Sequence, residues 1–283
     1  MSRKRLAVLG QPIGHSRSPA MHNAALAALG LADAWSYEAI EVSPREFEAR
    51  VRTMPGEEFV GANVTVPHKR AALELADQAS ETARGIGAAN TLTFAGGRIA
   101  AENTDATGFL EALPASPASK RALVLGAGGS ARAIVWALVA NGAEVEIWNR
   151  TPERAELLAA ELGGSAAKQG AGEEGGASPL PLPLDRFDLI VNATTVGMGE
   201  SSEGASRLKS LPLDADAMGE RHVLVDLAYG PDETELIRAA RAAGATVVDG
   251  LEVLVRQGAA SLRIWTGESP PVEVMRRAAR ELR

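Results

Sequence analysis

Polar side chains recur where the apolar segments of this 283-residue chain end. Ser16 and Ser18 stand just before a predicted helix, and two hydroxyls beside free helix amides suit a carboxylate or a polyol. For Ser18 alone, N-capping of that helix is the simpler role. A larger set follows later apolar segments: Asn63, Thr65, Lys69, Asn90, Asn103 and Asp105. In open α/β sheets, ligands bind at the carboxyl ends of the strands, so these positions predict a ligand site.

Lys69 is unusual because of its place in the segment GANVTVPHKRA. The segment is typical of a strand that runs into a helix, with Pro67 at the first helical position, where proline is well tolerated. Lys69 then lies in the first turn, where the helix dipole favours a carboxylate and disfavours a cation by about 0.3 kcal/mol or more. A lysine at this position indicates a chemical role, with a solvated surface lysine as the alternative.

A glycine-rich turn, VLGAGGSARA, forms the second candidate site. Gly126, Gly128 and Ala131 fill the pattern G-x-G-x-x-A, which permits a tight turn and close approach of the backbone to a pyrophosphate. An apolar strand precedes the turn and a helix follows it, so the free amides of the helix can bind the anion. The sequence therefore predicts a dinucleotide cofactor.

The end of the next strand predicts which dinucleotide binds. NAD sites usually carry Asp or Glu there, which accepts a hydrogen bond from the ribose 2′-hydroxyl. In WNRTPERA, Arg150 takes that place and Arg154 lies one helical turn later, with Thr151 as N-cap and Pro152 at the first helical position. Two guanidinium groups suit a 2′-phosphate, so we expect NADP(H). Two solvated arginines on an amphipathic helix are the alternative.

The elements that must position these groups alternate between strands and helices. Apolar segments such as RLAVLG, FVGANVTV, RALVLG and AEVEIW are each followed by a helical pattern, and FDLIVNAT is a further apolar strand. This alternation predicts an α/β fold with parallel sheets in both halves of the chain, mainly parallel in the N-terminal half. NTLTFAGGRIAAEN predicts a hairpin that turns at Gly96 and Gly97. The low-complexity residues 163–184 predict a mobile surface loop.

Composition excludes several classes of protein. Hydrophobic residues make up 46% and charged residues 23%, as in globular proteins. No apolar run approaches the ~18 residues of a membrane span, and the net charge of −7 argues against nucleic acid as the main partner. The chain has no cysteine, and His15, His22, His68 and His222 lack metal-ligand spacing. We expect a cytoplasmic monomer or homodimer that binds a small molecule and no metal.

A set of ordered motifs covers nearly the whole chain: GQPIGHSRSPAMH, GANVTVPHK, GAANT, NTDATG, LGAGGSARA, NRT, NATTVGM, DLAYGP and DG-x-x-x-LVRQGA. Together they resemble the motifs of shikimate dehydrogenases. The resemblance implies reversible, NADPH-dependent reduction of 3-dehydroshikimate to shikimate in aromatic amino-acid and chorismate biosynthesis. It also implies a substrate domain (residues 1–105), an inserted Rossmann-like NADP-binding domain (106–249), and C-terminal helices that return to the substrate domain (250–283).

The resemblance also implies roles for individual residues. Lys69 and Asp105 would form the catalytic pair, in which Asp105 orients Lys69 and keeps it protonated, unless the two share the proton transfer. The implied substrate-binding residues are Ser16, Ser18, Thr65, Asn90, Tyr229 and Gln257. The implied cofactor-binding residues are Gly126, Ala127, Gly128, Gly129, Ser130, Ala131, Asn149, Arg150, Thr151, Arg154, Asn192, Ala193, Thr194, Met198, Leu227 and Gly250. Val253 departs from the family, where many relatives have Met. Taken alone, Asp105 could simply be a helix N-cap.

Three other functions fit parts of the pattern. A quinate/shikimate dehydrogenase that uses NAD is disfavoured by the missing acid and by the two arginines after the second cofactor strand. A catalytically silent NADP-binding regulatory module would lack a complete site, whereas Lys69, Asp105 and Gln257 are all present. A dehydrogenase acting on folate would share the glycine turn, but the paired serines of GHSRSP favour a small carboxylate substrate.

Overall fold

A computed structural model describes residues 3–168, 181–198, 208–230 and 232–281. Most of the predicted surface loop, residues 163–184, therefore lies outside the described residues. The chain divides into two compact units: unit 1 comprises Met1–Glu111 and Leu254–Arg283, and unit 2 comprises Ala112–Val253. The domain boundaries after residues 105 and 249 remain a prediction. Within the described ranges, no helix has the length and hydrophobicity required to cross a membrane.

The first segment of unit 1 alternates strands with helices, as predicted. Its strands are β1 (Lys4–Gly10), β2 (Trp35–Glu41), β3 (Phe59–Val64), β4 (Gln78–Ala79), β5 (Thr91–Ala95) and β6 (Arg98–Glu102). Its helices are α1 (Ser18–Ala28), α2 (Phe47–Thr53), α3 (Lys69–Glu74), α4 (Glu81–Ile86) and α5 (Asp105–Ala112).

The sheet of unit 1 is mixed, with the strand order β2-β1-β3-β5-β6-β4. Strand β1 is parallel to β2 and β3, whereas β5 is antiparallel to β3 and β6. Gly96 and Gly97, with φ of +57° and +73°, form the turn between β5 and β6, which confirms the predicted hairpin. Strand β4 is parallel to β6, so the predicted mainly parallel sheet is confirmed, and the antiparallel pairs are those of the hairpin strand β5, because a two-residue turn can join only antiparallel neighbours.

Unit 2 carries a second sheet, with the order β12-β11-β10-β7-β8-β9 and every neighbouring pair parallel. Its strands are β7 (Arg121–Leu125), β8 (Glu144–Trp148), β9 (Ser165–Ala166), β10 (Leu189–Asn192), β11 (Val223–Asp226) and β12 (Thr246–Asp249). Its helices are α6 (Gly129–Ala140), α7 (Pro152–Leu162) and α8 (Glu235–Ala242). This order is that of the Rossmann fold, whose ligands bind where the order reverses, here between β7 and β10.

Two helices end the described chain, α9 (Gly250–Thr266) and α10 (Val272–Glu281). Helix α9 begins in unit 2 and continues into unit 1, and α10 packs against α1. The C-terminal helices therefore return to the unit that holds the N-terminus, as predicted.

Strand β1 shows why its sequence is a continuous apolar run. Leu6 and Val8 pack in one core with residues of α1, α9 and α10, while Ala7 and Leu9 pack in another with Phe47 of α2. All four β1 side chains are at most 3% exposed. Each large apolar side chain buried in this way contributes about 1.5–3 kcal/mol of transfer free energy. Burial on both faces thus fixes the strand from which the segment with Ser16 and Ser18 departs.

Candidate active site

Lys69 and Asp105 form a buried ion pair in unit 1. The Lys69 Nζ lies 2.7 Å from Asp105 Oδ2, and the two side chains are only 9% and 16% exposed. Each residue is the first of its helix, α3 or α5. At this distance the ammonium donates a charge-assisted hydrogen bond, which is stronger than one between neutral groups. The fold therefore joins the two residues implied as the catalytic pair.

The turn before α3 differs from the sequence prediction. The amide of His68 donates to the carbonyl of Thr65 at 2.9 Å, which closes a turn over residues 65–68, and α3 begins only at Lys69. Pro67 lies in this turn, so its predicted place as the first helical residue is wrong. The His68 Nε2 lies 2.7 Å from the carbonyl oxygen of Val42, which anchors the turn. Lys69 still occupies the first helical turn, as expected.

Asn103, and not Asp105, caps helix α5. The Asn103 Oδ1 accepts hydrogen bonds from the amides of Asp105 at 3.0 Å and Ala106 at 3.4 Å. The alternative of Asp105 as the N-cap is therefore wrong, because Asp105 is already helical. Its carboxylate instead accepts from Lys69 through Oδ2 and from Asn90 Nδ2 through Oδ1, at 2.9 Å. Each carboxylate oxygen thus has a fixed partner, which sets the plane of the carboxylate.

Asn90 connects the ion pair to Gln257 on α9. The Asn90 Nδ2 lies 3.1 Å from Gln257 Oε1, and its Oδ1 accepts from the amide of Thr104 at 2.8 Å. A backbone amide can only donate, so this contact defines which end of the carboxamide is the oxygen. Asn90 is 2% exposed and Gln257 is 7% exposed. The structure therefore brings Lys69, Asp105, Asn90 and Gln257 into one hydrogen-bonded cluster.

The remaining predicted substrate residues of unit 1 follow β1 and β3, which are parallel neighbours. Helix α1 begins at Ser18 with Arg17 in the N-cap position, so Ser18 is not the N-cap. The Ser16 Oγ accepts from the amide of Ser18 at 3.3 Å. Within the described part of the chain, the hydroxyls of Ser18 and Thr65 form no hydrogen bond. Ser18 is 3% exposed, so its free hydroxyl is well placed for a bound polar group.

The glycine turn of unit 2 fits a pyrophosphate. Gly126 has φ of +113°, and a Cβ there would lie 3.0 Å from the carbonyl oxygen of Ala193, so only glycine suits the turn. Gly128 occupies the N-cap position of α6, and no described atom lies within 4 Å of the place of its Cβ. No side chain at Gly128 therefore covers the N-terminus of this 12-residue helix, which suits an anion.

The second cofactor strand ends in two exposed arginines. Thr151 occupies the N-cap position of α7 and Pro152 its first helical position, as predicted. The Asn149 Nδ2 donates to the carbonyl of Thr151 at 2.9 Å, which holds the preceding turn. Neither Arg150 nor Arg154 is ion-paired with any residue in the described ranges. Both guanidinium groups are thus available for a phosphate.

A buried carboxylate, Asp226, ties together the segments that follow β10 and β11. Its Oδ1 accepts from Asn192 Nδ2 at 2.8 Å, and its Oδ2 accepts from Thr234 Oγ1 at 2.5 Å. Burial raises the pKa of Asp226, which the hydrogen bonds from Thr234, Ala228 and Asn192 oppose. Asn192 Oδ1 in turn accepts from the hydroxyl of Thr194 at 2.7 Å. Asp226 was absent from the predicted site.

The other predicted cofactor residues lie on the same carboxyl-end segments of unit 2. They are Ala127, Gly129, Ser130 and Ala131, which follow β7, Met198, which follows β10, and Leu227, which follows β11 together with the predicted substrate residue Tyr229. Gly250 begins α9, and a Cβ there would lie 2.5 Å from the carbonyl oxygen of Leu227, so glycine is required for close packing. These segments together form the edge of the sheet where a dinucleotide binds in this fold.

Comparison with known proteins identifies the family. The model of the shikimate dehydrogenase substrate binding domain matches residues 8–92, and the model of the shikimate / quinate 5-dehydrogenase matches residues 111–254. The shikimate 5′-dehydrogenase C-terminal domain matches residues 250–280. The chain belongs to the shikimate dehydrogenase family.

Several relatives match this chain over nearly its full length. The shikimate dehydrogenase (NADP(+)) of Methanopyrus kandleri is 42% identical over 279 residues, 97% of this chain and 94% of that protein. Shikimate 5-dehydrogenase of Thermus thermophilus, solved in complex with NADP(H) and shikimate, has a TM-score of 0.83, 43% identity and 98% coverage of both chains. The 5-ketofructose reductase of Gluconobacter sp. strain CHM43 has a TM-score of 0.83 and 31% identity, covering 99% of this chain and 98% of that one.

Two residues at the site of this family member were missed from the sequence. A Cβ at Gly108 would lie 2.5 Å from the backbone nitrogen of Gln257, so Gly108 lets α5 pack directly on α9. Ser261, one turn after Gln257, is fully buried among polar side chains. The sequence carried a signal for each. Glycine inside a helix costs about 1 kcal/mol relative to alanine, which marks Gly108. Residues four apart share a helix face, which places Ser261 beside Gln257.

Proposed function

We propose that this chain catalyses the reversible, NADPH-dependent reduction of 3-dehydroshikimate to shikimate. The observation that carries the proposal is the buried Lys69–Asp105 ion pair, with Nζ and Oδ2 2.7 Å apart, in a member of the shikimate dehydrogenase family. The named activity of the Methanopyrus relative and the ligands of the Thermus structure support it. The reaction belongs to aromatic amino-acid biosynthesis, and we place the enzyme in the cytoplasm as a monomer or homodimer.

Lys69 acts as the general acid in this proposal. Bound NADPH supplies the hydride, and addition of hydride to the ketone builds negative charge on its oxygen. The Lys69 ammonium donates a proton to that oxygen. General acid catalysis of this kind raises the rate by about 10²–10⁴-fold in comparable systems. In the reverse direction the neutral amine accepts the proton of the alcohol. Asp105 holds the amine in place through the hydrogen bond that its Oδ2 accepts from Nζ.

The substrate binds through polar groups at the carboxyl ends of the strands. The free hydroxyl of Ser18, with that of Ser16, would hold the carboxylate. Thr65, Asn90 and Gln257 would bind the ring hydroxyls or the reacting oxygen, and Tyr229 would approach the carboxylate. A carboxylate that accepts hydrogen bonds from neutral hydroxyls is bound with specificity for its geometry.

The residues of unit 2 fit NADP(H). The N-terminal amides of α6 beside Gly126 and Gly128 would hold the pyrophosphate. The guanidinium groups of Arg150 and Arg154, with Asn149 and Thr151, would hold the 2′-phosphate. The residues that would border the nicotinamide are Asn192, Ala193, Thr194, Met198, Leu227 and Gly250.

NADPH oxidation tests the proposal directly. The assay compares 3-dehydroshikimate, 3-dehydroquinate and 5-ketofructose, each with NADPH and with NADH. We expect the highest kcat/KM for 3-dehydroshikimate with NADPH. 5-Ketofructose is included because its reductase shares this fold at 31% identity, yet that substrate has no carboxylate for the two serines. The proposal fails if 3-dehydroshikimate is not reduced, or if 5-ketofructose is reduced with a higher kcat/KM.

A further inference from the structure

Ser261 lies at the centre of a buried polar cluster beneath Asn90. Its side chain is 0% exposed, and its Oγ contacts Asn63 Nδ2 at 2.9 Å, Thr91 Oγ1 at 2.9 Å, Thr104 Oγ1 at 3.1 Å and the Gln257 carbonyl oxygen at 3.0 Å. We propose that Ser261 is a positioning residue that sets the orientation of the Asn90 carboxamide between Asp105 and Gln257. The inference rests on the proposed function for its kinetic consequence.

Donor counting fixes the direction of the hydrogen bonds around Ser261. The Gln257 carbonyl oxygen can only accept, so it takes the single hydrogen of the Ser261 hydroxyl. One lone pair of the Ser261 Oγ then accepts from Asn63 Nδ2. The other accepts from the hydroxyl of either Thr91 or Thr104, since both lie within 3.1 Å. Ser261 therefore directs one of the two threonine hydroxyls away from Asn90.

The threonine hydroxyl that does not donate to Ser261 determines which hydrogen bonds the Asn90 carboxamide forms. Thr91 Oγ1 and Thr104 Oγ1 lie 3.0 and 3.1 Å from Asn90 Oδ1, which already accepts from the amide of Thr104. With Ser261 present, one hydroxyl remains for this oxygen. Without it, the two hydroxyls, whose Oγ1 atoms lie 3.2 Å apart, have only each other and one lone pair of Asn90 Oδ1 as acceptors in this part of the cluster.

The nitrogen of the same carboxamide has more acceptors within reach than hydrogens to donate. Asn90 Nδ2 carries two hydrogens but has three acceptors in reach: Asp105 Oδ1 at 2.9 Å, Thr104 Oγ1 at 3.0 Å and Gln257 Oε1 at 3.1 Å. Whether Thr104 accepts one of these hydrogens depends on where its own hydroxyl points. A change at Ser261 thus reaches Asp105 and Gln257 through Thr104 and Asn90.

On the side away from Asn90, the cluster is held by Asn63 and Tyr37. Asn63 is 5% exposed, and its Oδ1 accepts from the Tyr37 hydroxyl at 2.7 Å. The Tyr37 ring stacks on His22, with centroids 4.1 Å apart and planes inclined by 1°. Asn63 thus links the Tyr37 hydroxyl to the Ser261 hydroxyl, which holds Ser261 Oγ from the side away from Asn90.

The test compares Ser261→Ala with Val255→Ala. Val255 is 0% exposed on the same helix, in the apolar core, and has no part in the polar cluster, so its truncation reports loss of α9 packing alone. We expect Ser261→Ala to lower kcat with 3-dehydroshikimate about fivefold while KM for NADPH stays within twofold of wild type. Val255→Ala should lower the Tm and keep kcat within twofold. The inference is overturned if kcat of Ser261→Ala is not at least threefold below that of Val255→Ala at a temperature where both are folded.

A structural readout separates this inference from the proposed function. Crystal structures of the two variants should show a rotated Asn90 carboxamide, with a longer Nδ2–Oδ1 distance to Asp105, in Ser261→Ala only. An unmoved Asn90 overturns the positioning role, whatever the substrate is. If wild-type enzyme does not reduce 3-dehydroshikimate, the proposed function fails, and the orientation of Asn90 still decides the role of Ser261.

Discussion

Replacing Gly108 with alanine should lower both kcat and the stability of the fold. The new Cβ would lie 2.5 Å from the Gln257 nitrogen, 2.7 Å from its Cβ and 2.8 Å from its Cα, whereas ordinary contacts begin near 3.4 Å. Backbone atoms cannot rotate away, so α5 and α9 must separate by about 0.9 Å, at a cost of about 1–3 kcal/mol for overpacking. Asp105 begins α5 and Gln257 lies on α9, so their shared contacts with Asn90 lengthen. A misplacement of ~1 Å can reduce rate by about 10²-fold.

The assay measures kcat, KM and thermal unfolding of Gly108→Ala beside Gly56→Ala. Gly56 also has a backbone conformation open to other residues, and no described atom lies within 4 Å of its Cβ position. We expect Gly56→Ala to match wild type in kcat and Gly108→Ala to lose about 30–100-fold in kcat. A Gly108→Ala enzyme with wild-type kcat would show that contact between α5 and α9 does not set the geometry of the site.

Three further outcomes are expected. Lys69→Ala should lower kcat by about 10²–10⁴-fold with little change in KM, and a change in KM alone would contradict the acid role. Arg154→Gln should raise KM for NADPH about tenfold and leave KM for NADH unchanged, because only NADPH carries the 2′-phosphate; equal effects on both cofactors would refute the contact. Burial raises the pKa of Asp226 above its usual 3.8, so the folded state binds more protons between that value and the raised pKa. The contribution of Asp226 to the free energy of unfolding is therefore present below pH 3.8 and falls as the pH rises through the raised pKa. Asp226→Asn should lack this fall, so its unfolding free energy relative to wild type should rise with pH in denaturant titrations, and a constant difference would contradict the assigned shift.

Local patterns in the sequence were sufficient to predict most elements and the cofactor turn. Alternating apolar segments predicted the strands, and the glycines of the β5–β6 turn and of the β7–α6 turn occupy the positive-φ or N-cap positions that their patterns require. The two-residue strands β4 and β9 escaped prediction, because two residues show no periodicity. Pro67 was misplaced by a general preference for proline at helix starts, which the Thr65–His68 turn overrides.

The contacts of the site depend on tertiary pairing that no local pattern contains. Asn63 and Ser261 are 198 positions apart, yet they share a hydrogen bond. By sequence, Asp105 suits the N-cap position as well as Asn103 does. Only the hydrogen bond from Lys69 to Asp105, which requires the folded chain, distinguishes the two. The resemblance to the family implied the pair, whereas the support of the pair by Asn90, Gly108 and Ser261 required the fold.

The division of unit 1 into two chain segments has a consequence during protein synthesis. Unit 2 is continuous, from Ala112 to Val253, whereas unit 1 needs Leu254–Arg283 to be complete. Until those residues leave the ribosome, the face of β1 that carries Leu6 and Val8 lacks α9 and α10. Domains fold as units during translation, so we expect unit 2 to fold while unit 1 still exposes an apolar sheet face. Chaperones that bind apolar surface would then meet the nascent N-terminal segment, and the contact of Asn90 with Gln257 would form last.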